Sequence, residues 1–347
     1  MQYRASISVR VFPGLVMLPM MASALAACNW ISLAGNALTY DTVARGEASN
    51  IAVGDSFAYV SLAEEGLGVV DARTGFIVAR IAPAAGAESV DDLATSDELL
   101  FALDARPPGW LSVYSLREPT RPRLVDGPRA VDVGPFSGVS ARDGMVVVSG
   151  GTSRMSVWRY DAHGALSGPR ATADLGRGQP DVLLGGGRLA FFSTHYWGPY
   201  FGVDVVRLDG DSVLRLSRLA LEGAGFTKGG SKPANFPIEM ALLNDSTLLV
   251  AHSRGLAIVD IADPAAPRLR RIISLGGPAV NVDAGGSFAV VAIAGEPAVA
   301  ILDSTATVVR HITLPPGTNP GAVAFLGTRA DRVLVAARDR GVMVLER

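Results

Sequence analysis

A strand-like segment recurs seven times along this chain of 347 residues. Its clearest copy is GLAIVDI at residues 255–261, an apolar run with an acid near its end. The other copies are GLGVVDA at 66–72, WLSVYSL at 110–116, RMSVWRY at 154–160, GVDVVRL at 202–208, AVAILDS at 298–304 and GVMVLER at 341–347. Measured at the second residue of each copy, the successive intervals are 44, 44, 48, 53, 43 and 43 residues. Short strands repeated at this period are typical of a β-propeller with about four strands per blade.

Each copy has the same surroundings. A second apolar strand precedes it, and a pair of residues suited to a tight hairpin precedes that strand. These pairs are Gly54-Asp55, Ser96-Asp97, Asp143-Gly144, Gly186-Gly187, Asn244-Asp245, Gly285-Gly286 and Ala330-Asp331. Another strand follows the copy, as at residues 269–275 and 308–314. We therefore predict that each repeat is a four-stranded antiparallel sheet, with strands a to d in chain order and strand a innermost.

A proline-rich turn joins strands c and d in two repeats. Asp263-Pro264 and Pro267 have a near copy in Glu118-Pro119 and Pro122. Proline presets φ, and an acid before it can accept a backbone N–H, so this sequence suits a wide hairpin. Because proline also blocks strand pairing, the turn protects the outer edge of the blade.

The last repeat lacks its fourth strand, because the sequence ends directly after GVMVLER. A strand-like segment without a repeat of its own, NALTYDTVARG at residues 36–46, precedes the first repeat. We predict an all-β, seven-bladed propeller over residues 36–347. In this prediction the N-terminal strand pairs with the C-terminal blade and closes the ring, which leaves no open sheet edge.

Two stretches resemble a known family of repeats. GLAIVDIADPAAPRL at residues 255–269 resembles the LVIVD repeat, a strand of the type L-x-V-V-D followed by D-P-x-x-P, and so does AVGDSFAYVSLAEEGLGVVD at 52–71. The resemblance is good in the first, fifth and sixth repeats and partial in the second. It is poor in the third and fourth, where Arg159 and Arg207 replace the acid. The resemblance implies an exported β-propeller with a binding role, and it supplies no catalytic residues.

Residues 1–27 have the features of an export signal: basic residues first, then an apolar run. The run ends in Leu25-Ala26-Ala27-Cys28, which resembles the lipobox of bacterial lipoproteins and implies cleavage before Cys28 and lipidation of its thiol. Cys28 is the single cysteine of the chain, so it forms no internal disulfide, and lipidation would explain its presence. The alternatives are a plain signal peptide or an N-terminal membrane helix with a chance cysteine.

The lipobox interpretation sets the predicted organisation and location. Residues 1–27 form the signal peptide, and residues 28–35 form the lipidated cysteine and a short tether. Acyl chains at Cys28 would then anchor the protein stably to a membrane of the bacterial cell envelope. Asn29 follows the cysteine, whereas Asp at that place is the inner-membrane retention signal of enteric bacteria. This difference favours the outer membrane, with the propeller in the periplasm or at the cell surface.

The fourth repeat has two long connections on one predicted face of the propeller. One joins strands b and c at residues 193–202, and the other leads to the next blade at residues 222–236. Loops of this kind carry function more often than the framework does. The candidate binding residues are His195, Tyr196, Trp197, Tyr200, Phe201, Phe226, Lys228, Lys232 and Asn235. Such aromatic and polar groups suit a sugar, a peptide or a protein partner. The alternative is that they only fold the loops against the rim.

A polar residue is predicted at the start of each strand a, forming a ring at one mouth of the central channel. These residues are Asn50, Asp92, Ser137, Asp181, Glu239, Asn281 and Asn319. Asp92, Asp181 and Glu239 could hold a hard cation such as Ca²⁺, which prefers oxygen ligands. The alternative is a solvated channel mouth whose polar groups bind water.

The sequence offers little else that points to catalysis. It contains no G-x-S-x-G, no H-E-x-x-H and no phosphate loop, and its four histidines fall in different repeats. His252 lies between two strands, where we expect a solvent-exposed loop residue, although a general-base role is conceivable. The net charge of −2 gives no reason to expect a nucleic-acid partner.

Two functions from different classes remain. The first is a membrane-anchored binding or scaffold propeller for a protein, peptide or glycan, with no cofactor. The second is a propeller enzyme, lactonase-like or dehydrogenase-like, with a cation at the central channel. The acids of the predicted ring favour the enzyme, whereas the presence of Ser137 and of asparagines in the same ring argues against it. Because propellers host both kinds of function, the fold alone does not decide, and binding is the preferred prediction.

Overall fold

The computed structural model describes residues 31–33, 36–41, 48–54, 56–132, 138–150, 154–176, 181–195, 201–221, 239–295, 297–326, 332–338 and 340–346. Nearly all regular structure in these residues is β, apart from one short 3₁₀ turn at Gly186–Arg188. Within the same residues, no helix has the length and apolar character needed to cross a membrane.

Two strands, β1 (Ile31–Leu33) and β2 (Asn36–Asp41), come before the first repeat. Three four-stranded sheets follow. The first consists of β3 (Ile51–Val53), β4 (Phe57–Ser61), β5 (Leu67–Asp71) and β6 (Ile77–Ile81). The second consists of β7 (Asp92–Ser96), β8 (Leu99–Asp104), β9 (Trp110–Ser115) and β10 (Arg123–Ala130). The third consists of β11 (Gly138–Arg142), β12 (Met145–Ser149), β13 (Arg154–Tyr160) and β14 (Leu166–Asp174).

The remaining sheets follow the same plan. The fourth consists of β15 (Val182–Leu184), β16 (Leu189–His195), β17 (Phe201–Asp209) and β18 (Ser212–Ala220). The fifth consists of β19 (Met240–Asn244), β20 (Thr247–His252), β21 (Gly255–Asp260) and β22 (Arg268–Ile273). The sixth consists of β23 (Ala279–Gly285), β24 (Phe288–Ile293), β25 (Ala298–Asp303) and β26 (Val308–Thr313). The seventh contains β27 (Ala322–Leu326), β28 (Arg332–Ala336) and β29 (Val342–Glu346), in the sheet order β1-β2-β29-β28-β27.

The seven sheets are arranged as the blades of a propeller. Within a blade each strand pairs with the next one in antiparallel orientation. The innermost strands contact one another in the order β3, β7, β11, β15, β19, β23 and β27, and β27 contacts β3 again. The predicted all-β, seven-bladed propeller is therefore confirmed.

The hydrophobic core lies in the seams between blades. In the described part of the chain the buried apolar residues form seven clusters, each joining two adjacent blades. Every residue of β8 (LLFALD) is buried, because a middle strand has a blade on each side. The outer strand β22 (RLRRII) is mostly exposed. The middle strands are thus continuous apolar runs because both their faces are covered.

The glycine that begins the recurring G-L-x-V-V-D pattern is required by close backbone packing. Gly255 has a φ of 127°, and a β-carbon there would lie 2.0 Å from the carbonyl oxygen of Ile273 on β22. At Gly66 the corresponding distance, to the carbonyl oxygen of Ile81 on β6, is 2.2 Å. A side chain at this position would push the outer strand away from strand c.

The acid that ends the same pattern caps the turn between strands c and d. Asp71 Oδ1 accepts the backbone N–H of Arg73 at 2.7 Å, and Asp260 Oδ1 accepts that of Ala262 at 3.0 Å. Asp303 repeats the interaction with the N–H groups of two threonines, at 2.9 and 3.0 Å. The acid therefore orders a hairpin through an Asx-type turn and leaves little of its charge for a ligand.

The proline-rich turns also fasten one blade to its neighbour. Asp263 Oδ1 accepts the N–H of Ala265 at 3.0 Å, as the sequence predicts for an acid before proline. The carbonyl oxygen of Pro264 accepts the hydroxyl of Ser217 from the fourth blade at 2.7 Å. In the same way, the carbonyl oxygen of Pro119 accepts the hydroxyl of Tyr59 from the first blade at 3.3 Å.

The predicted hairpins between strands a and b adopt the expected backbone conformation in four blades but not in the fifth, where neither Asn244 nor Asp245 has a positive φ. In four blades a member of the predicted residue pair has a positive φ; these residues are Asp97, Asp143, Gly144, Gly187 and Gly286. Tight turns of this kind match the right-handed twist of the strands they join. Strand β2 lies beside β29 in antiparallel register, with Leu38 opposite Leu345 and Asp41 opposite Val342.

The role of Gly255 is testable. We expect Gly255→Ala to lower the free energy of unfolding by about 2 kcal/mol or more, because the added β-carbon collides with a backbone carbonyl group. Urea denaturation followed by circular dichroism measures this change. Gly186→Ala is the matched control: a β-carbon there meets no atom within 4 Å, and we expect a change within about 0.5 kcal/mol. Equal stability of the two variants would contradict the assignment.

Candidate functional site

The central channel has a polar residue at an equivalent position near the start of most innermost strands. Pairing with strand b defines this position: Asp92 lies opposite Leu103, and Asn281 lies opposite Ala292. The residues at this position around the ring are Asn50, Asp92, Gly138, Asp181, Glu239, Asn281 and Ala322. The predicted polar ring is therefore present in five blades.

Two positions of the predicted ring need correction. In the third blade the ring position is Gly138, opposite Ser149, and the predicted Ser137 lies outside the described residues. In the seventh blade the ring position is Ala322, opposite Ala336, whereas the predicted Asn319 is exposed and precedes the strand. Asn319 lies three residues before the ring position of the seventh blade, where the residue is the apolar Ala322 and no polar side chain marks the start of strand a.

The ring side chains bind the backbone of the next blade. Asp92 Oδ2 accepts the N–H of Val139 at 2.6 Å, and Asp181 Oδ2 accepts that of Met240 at 3.1 Å. Asn281 Oδ1 accepts the N–H of Val323 at 3.0 Å. Each donor is the residue directly after the ring position of the following blade. These side chains thus satisfy N–H groups at the free edge of the neighbouring innermost strand, which would otherwise be buried without a partner.

Two further residues, which the sequence analysis did not single out, make the same kind of bond. Gly138 has no side chain, and two residues later Ser140 Oγ accepts the N–H of Leu184 at 3.0 Å. Two residues after Asn281, Asp283 Oδ2 accepts the N–H of Phe325 at 3.0 Å. Because side chains on one face of a strand recur every second residue, a search at this spacing from the ring position would have found both.

The acids of the channel have raised pKa values. Burial raises the pKa of Asp92 to about 7, although hydrogen bonds from Val139 N–H, Leu93 N–H and the Asn50 amide oppose the rise. Burial, followed by the charge of Asp92, raises the pKa of Asp181 to about 8.

Burial also raises the pKa values of the other two channel acids. Burial raises the pKa of Glu239 well above its usual range, and the charges of Asp181 and Asp92 add to this effect. Burial alone raises the pKa of Asp283 to about 6, against the hydrogen bonds it accepts. Three of the channel acids, Asp92, Asp181 and Glu239, therefore bind protons more readily near neutral pH than free carboxyl groups do, and they repel one another when ionised.

Three of these acids, Asp92, Asp181 and Glu239, are the residues that the sequence offered as a cation site. Among the residues that the structure describes, no group of three or more His, Cys, Asp or Glu side chains is arranged to hold a metal ion. Asp92, Asp181 and Glu239 are all described, and the first two have carboxylate oxygens engaged with backbone N–H groups. Their geometry fits hydrogen bonds that hold adjacent blades together better than it fits a set of ligands around one ion.

Most of the predicted aromatic surface lies outside the described residues. This is so for Tyr196, Trp197, Tyr200, Phe226, Lys228, Lys232 and Asn235, and for the side chain of His195. Phe201 is described, and it is only 8% exposed within the apolar cluster between the fourth and fifth blades. This position favours a packing role for Phe201 at the base of the connection.

His252 is buried, which corrects the expectation of an exposed loop residue. It ends β20 directly opposite Gly255, and its side chain is 1% exposed. Its Nδ1 accepts the N–H of Arg254 at 3.0 Å, and its ring meets that of Phe201 edge to face with centroids 5.6 Å apart. The turn that follows β20 is tight, so the histidine packs against the fourth blade.

The described residues at the ends of the two long connections lie on the same face as the polar ring. Strands β16 and β17 remain paired up to His195 opposite Phe201, so residues 196–200 connect them at that end of the blade. Residues 222–238 join β18 to β19, and Glu239 of the ring follows directly. His195, Phe201 and Leu221 therefore lie at the same end of the fourth blade as Asp181.

Seven sheets around a polar channel define this protein as a seven-bladed β-propeller. Residues 45–72 and 248–273 match the LVIVD repeat. These segments belong to the first and fifth blades, where the sequence resemblance is good. The sixth blade, for which the sequence predicts an equally good resemblance, is not among the matched segments. Among curated proteins, none matches this sequence.

Several solved structures share the fold. A streptogramin B lyase has a TM-score of 0.65 at 15% identity, covering 90% of this chain and 97% of that one. Virginiamycin B lyase from Staphylococcus aureus has a TM-score of 0.62 at 12% identity, covering 90% and 99%. The WD40 β-propeller domain of Doa1 has a TM-score of 0.58 at 14% identity, covering 87% and 93%. At such low identities the likeness is one of fold alone.

The raised pKa values predict how stability depends on pH. Asp92 and Asp181 have higher pKa values folded than unfolded, so the native state binds more protons between about pH 4 and pH 8. We therefore expect the contribution of these acids to be fully present below their unfolded pKa and to be lost as the pH rises through about 7 to 8. Urea midpoints measured from about pH 5 to about pH 8.5 at constant ionic strength test this expectation.

The matched variant for this measurement is Asp181→Asn. Asn281 shows that an amide oxygen can accept the equivalent backbone N–H of the next blade, which for Asn281 is that of Val323. We expect Asp181→Asn to reduce the loss of stability at high pH. Glu98→Gln, at an exposed position, should leave the pH profile unchanged. If Asp181→Asn and wild type lose the same stability between the two pH values, the channel acids do not control it.

Proposed function

We propose that this protein is a lipid-anchored binding propeller of the bacterial cell envelope, with the channel face of the fourth and fifth blades as its contact surface. The observation that carries the proposal is the placement of the two long connections. Residues 196–200 follow His195 in the sequence, and residues 222–238 follow Leu221. Both His195 and Leu221 lie at the end of the fourth blade that carries the polar ring. The corresponding turn of the fifth blade, between His252 and Gly255, is tight.

The composition of these connections defines the class of partner. Tyr196, Trp197 and Tyr200 supply large aromatic surfaces, and Lys228 and Lys232 supply positive charge. Aromatic side chains flanked by a few polar groups are typical of surfaces that bind a protein, a peptide or a glycan. Phe201, the residue directly after the first connection, packs edge to face against the buried His252 of the fifth blade.

Binding is preferred over catalysis because the channel acids already have a structural task. Asp92 and Asp181 each accept a backbone N–H from the adjacent blade, and loss of either bond would leave that N–H without an acceptor. Two similar structures are lyases by name, but at 15% and 12% identity this likeness carries no assignment of activity.

The anchor is proposed from the N-terminal sequence. Residues 1–27 serve as the signal peptide, Cys28 receives the lipid, and residues 28–35 tether the propeller to the membrane, with the outer membrane favoured. Support comes from the lipobox-like Leu25-Ala26-Ala27-Cys28 and from the absence of any other cysteine in the sequence.

Closure of the seventh blade is part of the same proposal. We propose that residues 36–41 supply its fourth strand, so that the first and last strands of the propeller hold the ring together. Support comes from the antiparallel register of Leu38 with Leu345 and Asp41 with Val342. With this strand in place the seventh blade has the same number of strands as the others, and β29 has no free edge.

The anchor can be tested by removing the thiol. When the full-length chain is expressed in a bacterium that processes lipoproteins, we expect Cys28→Ser to shift it from the membrane fraction to the soluble or uncleaved fraction. Metabolic labelling with an alkyne fatty acid should label wild type and not the variant. Asn29→Ser is the control and should remain labelled. Labelling of Cys28→Ser equal to that of wild type would contradict lipidation at this residue.

The contact surface can be tested by changing one aromatic residue. Full-length protein is immobilised and its affinity for envelope proteins and a glycan panel is measured. We expect Trp197→Ala to weaken binding by roughly thirtyfold, corresponding to about 2 kcal/mol for a central aromatic residue. Trp110→Ala is the control, because Trp110 begins strand c of the second blade on the same face. Unchanged affinity in Trp197→Ala would exclude the proposed surface.

A further inference from the structure

A second candidate site lies at the seam between the third and fourth blades, on the face opposite the polar ring. It is a cavity of about 290 Å³. Three arginines line it, Arg142, Arg159 and Arg188, together with Asp143. Because successive hairpins of a blade alternate between the two faces, the turns that form this cavity lie at the opposite end of the fourth blade from His195 and Phe201. The cavity is thus distinct from the proposed contact surface.

The strand register of the third blade explains how two of the arginines meet. Arg142 lies opposite Met145, and Met145 lies opposite Arg159, so the three residues form one row across β11, β12 and β13. Directly paired residues point to the same side of a sheet. Met145 is buried in the cluster that joins the third and fourth blades, so the row faces the fourth blade.

The third arginine comes from the opposite wall. Arg188 belongs to the turn between β15 and β16, and its φ of 63° places it in the left-handed region. Residues other than glycine, asparagine and aspartate seldom adopt this conformation. Leu184, which is buried, lines the same wall, and the neighbouring Gly187 has open space where a β-carbon would be.

Arg159 occupies the position at which other blades use an acid to cap a turn. In the third blade that task falls to Asp161, whose Oδ1 accepts the N–H groups of His163 at 2.8 Å and Ala165 at 3.0 Å. The turn therefore forms without help from Arg159. Within the described residues, neither Arg159 nor Arg188 takes part in an ion pair, and Arg142 is paired only with Asp143, at 3.5 Å.

We propose that this cavity, the arginine pocket, binds a phosphate group, either free or as a small phosphomonoester. Three guanidinium groups against one carboxylate give the pocket a net charge of about +2, which matches a dianion. A guanidinium group can donate two parallel hydrogen bonds to two oxygens of one phosphate. Met145 and Leu184 form the apolar base of the pocket. The volume lies near the lower limit of about 300 Å³ for small-molecule sites, which suits a small phosphorylated molecule.

The test is a titration of the full-length chain in a non-ionic detergent. Inorganic phosphate and glycerol 3-phosphate are the probes, and heat of binding is measured at a constant ionic strength of about 0.1 M. We expect saturable binding of one molecule per chain to at least one probe. Tighter binding of glycerol 3-phosphate would identify a phosphomonoester ligand, and tighter binding of inorganic phosphate would identify the free ion.

Variants separate a built site from general positive charge. We expect Arg159→Gln and Arg188→Gln each to weaken binding by about tenfold or more, and Arg159→Lys to lie between Arg159→Gln and wild type. Arg207→Gln is the matched control, because Arg207 occupies the equivalent position in the fourth blade but pairs with Asp209 at 2.6 Å. An unchanged melting temperature shows that each variant is folded.

Two results would overturn the proposal. One is the absence of saturable binding of both probes up to about 10 mM. The other is an equal loss of binding in Arg207→Gln and Arg159→Gln, which would indicate general surface charge. Because the pocket and the aromatic surface lie on opposite faces, Trp197→Ala should leave phosphate binding unchanged.

Discussion

The free edge of each innermost strand is the constraint on which the molecule depends. A blade pairs its four strands with one another, so one side of strand a faces the channel with backbone N–H groups that need acceptors. Side chains of the preceding blade supply them, from Asp92, Ser140, Asp181 and Asn281. This arrangement explains why the chain keeps acids in its centre, and their burial there raises their pKa values.

The recurring sequence pattern has a physical explanation at each end. Its first glycine allows the outer strand to approach strand c, and its final acid caps the next turn. In the third blade Asp161 caps the turn, so the last position of the pattern does not need an acid, and Arg159 occupies it. The blades that depart from the repeat therefore carry both candidate binding sites. The third and fourth blades together form the arginine pocket, and the sequence of the fourth also contains the aromatic connection.

Much of the fold could be predicted from periodicity. Each blade packs between two neighbours in the same way, so strands of similar length and similar turns recur along the sequence. Predictions failed where one blade depends on another. His252 looks like a loop residue along the chain but is buried against Phe201 of the fourth blade. The prediction of Asn319 at the ring position is wrong, since the seventh blade has Ala322 there and the polar residue that marks this position in five other blades is missing. The arginine pocket was missed because Arg142 and Arg188 come from different blades and meet only across a seam.

The contact of β27 with β3 means that the array has no terminal repeat. In an open solenoid the end units fray first, because each has a single neighbour. Here the cluster between the seventh and first blades resembles those between the other blades, so opening any blade breaks two seams at once. The ring should therefore unfold as one cooperative unit, with amide exchange protection similar in all blades, and damage at one seam should weaken the whole ring.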